Sequence, residues 1–355
     1  MRPANYKGLL QNLPVYYYGN MNPRWILCLF IFLPLWAGYA RGKSEKKTQL
    51  PKNDVLPALI AQDISSSSEP EQTPGQTAGW LAQFSAEEIF HAFVQAYPDR
   101  IREPEFRDGD WTIEVYGERF YYAEGRLLPA SLRDRVNEYN PQPLYSYPKE
   151  LPPWVPPTPE ESARMAEREA LRLQGQDTPK RSSAFYDAIW RAHDRDEAYD
   201  HIKQIRFMAN PFLLHYSILS QLSLVEEYIL KAAKTNAAVK QWVDNLETVG
   251  GWNWRSIADS GNRSFHSYGA AIDLLPKSLE GLETYWLWAS DHTPEWWAVP
   301  YTKRFHPPDE VINIFESFGF IWGGKWRYYD TMHFEYRPEI LILNGIALTD
   351  LRDLR

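Results

Sequence analysis

The sequence predicts an α+β fold, in which a small antiparallel sheet is packed with helices and a small N-terminal helix–hairpin unit precedes it. Three observations lead there. Residues 332–336 alternate apolar and polar side chains with the period of a half-buried strand, and 270–275 is a short apolar run interrupted only by Asp273. Several longer stretches between 183 and 318 carry apolar residues at helical spacing. Near the start, Trp111-Thr-Ile-Glu-Val-Tyr116 and Arg119-Phe-Tyr-Tyr122 flank Gly117-Glu118, the pattern of a β-hairpin.

Taken in order, residues 1–40 contain no Asp or Glu, and Arg24 precedes an apolar run over 26–36 that ends near Gly38-Tyr-Ala40. That is the layout of a secretory signal peptide, with Met21 as an alternative start. The run is short for a membrane span, yet an uncleaved signal would leave an N-terminal membrane anchor. The only cysteine, Cys28, lies inside the run, and the preceding Trp25-Ile-Leu27 lacks the small residue a lipid-attachment signal places there. Residues 41–79 are polar, with Ser65 to Ser68 in a row and no apolar period, and read as a disordered tether. Residues 80–145 form the small accessory unit: a helix over 80–98, capped by Ser85 with Glu88 three residues on, and then the hairpin.

Residues 146–180 make a connector. Eight prolines between Pro141 and Pro159 keep its start extended, as a spacer or as a strap across the body, and a charged helix follows over 160–173. The main domain covers 181–345. Its helices are placed at 183–199, 213–234, 236–245 and 309–318, the last preceded by Pro307-Pro308 and ended by Gly319.

Composition narrows the function. The chain has 355 residues, 44% hydrophobic and 15% aromatic, enough for a substantial core. Without Arg2, Lys7 and Arg24 of the leader, 35 basic residues face 46 acidic ones, a balance that argues against nucleic acid as a partner. A mature chain without cysteine gains nothing from an oxidising compartment and risks nothing there.

The chemistry concentrates in Ser264-Phe-His266-Ser-Tyr-Gly269-Ala-Ala271-Ile-Asp273 and Asp330-Thr-Met-His333-Phe-Glu335. In a strand, alternate side chains share a face, so Asp273 points with Ala271 and Leu275, and His333 points with Glu335. An acid on an otherwise apolar strand is costly unless it is paired or metal-bound. Two neutral imidazoles and a carboxylate are a regular ligand set for catalytic Zn2+, the fourth position being left to water. Asp330, three residues before His333, suits the role of proton acceptor and donor. Glu335 would orient a histidine from behind or touch substrate.

Ser264-x-His266-x-x-Gly269-x-Ala271-x-Asp273 followed by Asp330-x-x-His333-x-Glu335 resembles the signature of the zinc D-alanyl-D-alanine carboxypeptidases of the VanY type and the related L-alanyl-D-glutamate endopeptidases. Gly319-Phe-Ile-Trp-Gly-Gly-Lys-Trp326 resembles the segment those proteins carry before the second motif. The resemblance spans about residues 209–336. It implies that His266, Asp273 and His333 are zinc ligands, that Asp330 is the catalytic acid/base, and that the substrate is an amide in peptidoglycan stem peptides. It also implies, more loosely, that Arg255 holds a substrate carboxylate or the oxyanion. Many members have Glu at the position of Asp330, and Asp there is typical of the endopeptidase branch. A location outside the cytoplasm, periplasmic or in the cell envelope, matches such a substrate.

Two other classes compete. A wall-binding protein that has lost catalysis would keep the cleft but has no need of every ligand and the acid/base. A non-haem iron oxygenase also uses two His and one carboxylate, but it typically places the first His and the acid two residues apart rather than the seven found here. His193, Glu197, Asp200 and His201 share a helical side and read as a charged exposed face rather than a metal site. The tryptophan-rich insertion around Tyr285-Trp-Leu-Trp288 and Trp296-Trp297 either walls the cleft or packs the underside of a long loop, the second being favoured.

Overall fold

The computed structural model describes residues 83–174, 180–257 and 262–351. The leader and tether expected at 1–40 and 41–79, and the start of the first helix, lie outside them. Among the described residues no helix is long and apolar enough to cross a membrane.

The first helix, α1 (Ala86–Ala96), starts at the expected capping box: Ser85 Oγ accepts from the Glu88 N–H, and the Glu88 carboxylate accepts from the Ser85 N–H. The hairpin is present and is extended on both sides. Strands β1 (Glu105–Arg107), β2 (Asp110–Val115), β3 (Glu118–Tyr121) and β4 (Leu128–Pro129) pair antiparallel in sequence order. The proline-dense stretch then runs extended up to Thr158, which caps α2 (Pro159–Leu173).

Between 184 and 232 the structure departs from the expectation twice. The helix expected over 183–199 is two, α3 (Ala184–Trp190) and α4 (Arg195–Asp200), because Arg191 closes the first in a left-handed conformation (φ 48°) and Asp194 caps the second. The helix expected from 213 begins later. Its first residues belong to a second hairpin, β5 (Ile202–Phe207) with β6 (Asn210–His215), and α5 (Leu219–Ala232) follows. The turn of that hairpin is Met208-Ala209, both at positive φ. Neither is a residue that normally marks such a turn, which is why the sequence hid it.

After α6 (Ala237–Asn245), capped by Asn236, comes the sheet that carries the motifs. It comprises β7 (Leu246–Gly250), β8 (Ala271–Pro276), β9 (Phe320–Trp322) and β10 (His333–Tyr336) in the order β7-β8-β10-β9, with every neighbouring pair antiparallel. In the loop from β8 to β9 lie the short α7 (Trp286–Ser290) and α8 (Asp309–Ser317), and α9 (Pro338–Leu343) closes the fold. One face of the sheet is apolar. There Phe315 of α8 stacks on Phe334 at 4.1 Å between ring centres, and Phe320 meets Tyr336 at 5.1 Å. Ile272 and Leu274 belong to the same continuous core as Phe90 and Phe93 of α1 and Phe185 and Trp190 of α3. The opposite face is where polar groups collect.

Candidate metal centre

The antiparallel register sets His333 directly opposite Asp273 and Glu335 opposite Ala271. Side chains facing one another across such a pair share a face, so the acid and the imidazole meet without either strand bending. His266 arrives from a single turn of 3-10 helix, Phe265–Tyr268. Ser264 caps that turn, its buried Oγ accepting from the His266 N–H at 3.3 Å. Gly269 ends it at φ 65°, where a Cβ would stand 2.4 Å from Ile202 and 2.8 Å from the His215 nitrogen. No other residue fits, and without this turn His266 would not be delivered to β8.

Three ligand atoms converge. His266 Nε2 lies 3.1 Å from Asp273 Oδ2 and 3.3 Å from His333 Nδ1, which lies 2.9 Å from Asp273 Oδ1. Two ligands each about 2.0–2.1 Å from a tetrahedral zinc stand roughly 3.3 Å apart, so the spacing fits that ion. Tautomers fit as well. His266 Nδ1 is 2.7 Å from the Gly251 carbonyl, which can only accept, so the proton sits there and Nε2 is free. His333 Nε2 is 3.2 Å from Glu335 Oε2, which fixes its proton on Nε2 and frees Nδ1 for a metal. Among the described residues, these three side chains are the group of acids, His and Cys that could hold an ion.

Behind His333 the polar face continues inward. Glu335 Oε1 accepts from Arg337 at 3.2 Å, and Arg337 also bonds Glu339, the Tyr186 hydroxyl and the Pro143 carbonyl. Glu339 in turn accepts from Tyr97, which follows α1, at 2.9 Å and from Tyr186 at 3.1 Å. Both carboxylates are thereby fully engaged, so Glu335 orients His333. Nothing in the sequence singled out Arg337 or Glu339.

Asp330 is held by its backbone. Its N–H donates to the Gly323 carbonyl at 3.0 Å, and a Cβ on Gly323 would come within 2.6 Å of the Asp330 oxygen, so only glycine permits this approach. The side chain lines the same cleft as His266 and His333, and Oδ1 is buried with no hydrogen-bond partner among the described residues. Burial pushes its carboxyl up to about 7, with the charge of Asp273 adding to the rise and those of His333 and Arg255 opposing it. Burial opposes charge on His333 too, but its bonds to Asp273 and Glu335 prevail and raise it to about 10. Against the same burial, His266 and His333 hold Asp273 well below the usual carboxylate range.

Arg255 also lines the cleft. Its backbone is clamped to the first motif, with its N–H donating to Ser267 Oγ at 2.9 Å and its carbonyl accepting from Ser267 Oγ at 2.6 Å. The cleft is a cavity of about 150 Å³. Pro143 and Tyr145, just before the connector, line it together with Tyr285, Trp286 and Tyr328. The tryptophan-rich insertion therefore does both things asked of it: Trp286 faces the cleft, and it packs with Met165 of α2, Trp296 and Tyr329 in a small second core. The charged group at 193–201 does not gather. His193 pairs with Glu197 at 2.7 Å, and His201 turns inward against the His215 ring.

Comparison with known families bears on two segments. Residues 90–143 match a family described as a domain of unknown function, DUF8518. No curated protein and no solved structure matches the chain. Residues 258–336, which include Ser264, the three converging ligands, Asp330 and Glu335, match the family described as D-alanyl-D-alanine carboxypeptidase, and this stretch of the chain is therefore similar to peptidases of that family.

Proposed function

We propose that this chain is a zinc-dependent peptidase that hydrolyses an amide bond in peptidoglycan stem peptides, acting outside the cytoplasm. The observation that carries the reading is the convergence of His266 Nε2, Asp273 and His333 Nδ1 within 3.3 Å of one another, in a cleft shared with Asp330, whose buried Oδ1 has no hydrogen-bond partner among the described residues. The family match over the same residues supports hydrolysis of a peptide.

His266, Asp273 and His333 would hold the ion, and zinc bound there supplies the Lewis acidity that makes a water nucleophilic near neutral pH. Asp330 accepts the proton at its free Oδ1 and returns it to the leaving amine, a task suited to a buried carboxylate beside the ligand set. Arg255 steadies the negative charge that develops on the carbonyl oxygen. Aromatic walls around Trp286, Trp326 and Tyr328 keep bulk water away and strengthen each of these interactions. The leader-like residues 1–40 support the part of this proposal that places the substrate outside the cytoplasm.

The test is to incubate the zinc-loaded full chain with defined muropeptides and identify the products by mass. Release of a terminal D-alanine or cleavage of an internal amide, lost on chelation and restored by zinc, supports the reading. Stoichiometric zinc with intact substrates overturns it.

A further inference from the structure

Several guanidinium groups reach the cleft, and they are not equivalent. Arg337 is tied to Glu335, Glu339, Tyr186 and Pro143. Arg263 lies 3.3 Å from Asp187, donates to the Ala192 carbonyl and covers the Trp254 ring at 4.2 Å. Arg181 and Arg255 line the cleft without a side-chain hydrogen bond or ion pair to any described residue. Arg255 is exposed, and its charge acts on Asp330. Arg181 is half-buried, and the charges of Arg337 and Glu335 bear on it.

An unpaired guanidinium placed in a cavity beside a second cation is costly, because burial strips its water and the neighbour repels it. Both effects lower the Arg181 pKa to about 10. The fold nevertheless holds this residue firmly. Residues 180–182 are laced to the chain before the connector: Asn140 pairs with Arg181 as a parallel bridge and donates to the Lys180 carbonyl, and Gln142 Nε2 donates to the Ser182 carbonyl at 2.7 Å. From the other side, Asn262 Oδ1 accepts from the Arg181 N–H at 2.8 Å. The backbone is fixed on two sides, and the charge is left to face the cleft.

We propose that Arg181 is the specificity residue of this site, gripping a free carboxylate of the substrate that lies within a residue or so of the scissile amide. A planar fork of N–H donors matches a carboxylate with two parallel hydrogen bonds, and the incoming charge compensates the cation that the free protein leaves unpaired. Arg181 and Asp330 line the same cleft, so a carboxylate held by Arg181 belongs to the part of the substrate that enters with the scissile amide. Arg181 lies outside the segment similar to known peptidases, so the chain before that segment selects the substrate. This inference rests on the peptidase reading for its substrate class, and two carboxylates qualify: the C-terminal one of a D-alanyl-D-alanine end, or the α-carboxylate of a γ-linked D-glutamate.

Calorimetry on the zinc-loaded full chain carrying Asp330→Asn tests binding without turnover. One probe pair is N-acetyl-D-alanyl-D-alanine and its C-terminal amide. The other is N-acetyl-L-alanyl-D-glutamate γ-methylamide and its α-amide. In one pair the acid should bind roughly 100-fold tighter than the amide, and adding Arg181→Ala should reduce that ratio to about threefold or less with zinc stoichiometry unchanged. The pair that discriminates identifies the carboxylate. Arg181→Lys, which keeps the charge and loses the fork, should fall between, and its ratio decides if the alanine variant fails to fold. A ratio that survives Arg181→Ala, no ratio in either pair, or equal loss of acid and amide together with zinc overturns the proposal. Failure of the unmutated chain to cleave any muropeptide would sink the peptidase reading instead, and the binding ratio would still decide the role of Arg181.

Discussion

Two of the places where the described residues bury charge are built differently. Lys325 Nζ lies 2.6 Å from Glu316, donates also to the Lys149 carbonyl, and shares Glu316 with the Tyr147 hydroxyl. Every group there has a partner inside the protein. In the cleft, by contrast, Asp330 Oδ1 has none, two imidazole nitrogens point at one carboxylate, and Arg181 and Arg255 face open space. The first cluster fastens the extended connector to the body, since Tyr147 OH also accepts from the Trp322 N–H. The second leaves valences for something that is not protein. A saturated buried network signals architecture, and an unsaturated one signals chemistry.

Mutations should separate the two. The largest effect is expected at Asp330→Asn, which should lower kcat by about 10²–10⁴ while the chain still binds one zinc, read from turnover and metal analysis. A loss of zinc with the activity would move Asp330 from acid/base to ligand. At the other cluster, Lys325→Met leaves Glu316 buried without its cation and should cost roughly 3–5 kcal/mol of stability, measured by denaturant unfolding, with turnover per folded molecule unchanged. If that variant instead loses activity at full stability, the contrast between the clusters is wrong. Glu335→Gln weakens the hold on the His333 proton, and zinc affinity should drop by about 10–100-fold.

Two smaller effects depend on pH. In the metal-free chain His333 keeps its extra proton up to about pH 10. A metal at Nδ1 must expel that proton, so zinc affinity should climb with pH by up to about tenfold per unit below that value, with proton release visible in buffers of different ionisation enthalpy. Asp330 has a folded pKa raised to about 7, so protonation stabilises the metal-free fold: the contribution is complete below the ordinary carboxylate range and is lost as pH rises through about 7. Asp330→Asn removes this dependence and should raise the metal-free melting temperature at pH 8 by a few degrees relative to the unmutated chain, with no gain at pH 4.

Much of the sheet was legible because its signal is local. The alternation around Asp273 and His333 reports which side chains share a face, and the register then brings the two together. Ser85 with Glu88 marks the first helix, and Gly117 marks the hairpin. The second hairpin was not legible, because Met208-Ala209 takes positive φ without glycine or asparagine. Nor were Arg181, Arg337 and Glu339. Their meaning depends on partners far away in sequence, such as Pro143 for Arg337 and Tyr97 for Glu339, and charge alone carries no sign of which contacts it will make.

The most direct test of the central claim is anomalous scattering at the zinc edge from crystals of the zinc-loaded chain. The account predicts one strong peak about 2.0–2.2 Å from His266 Nε2, His333 Nδ1 and an Asp273 oxygen, with Asp330 outside bonding distance. A peak elsewhere, or full activity without any peak at these three residues, would contradict it.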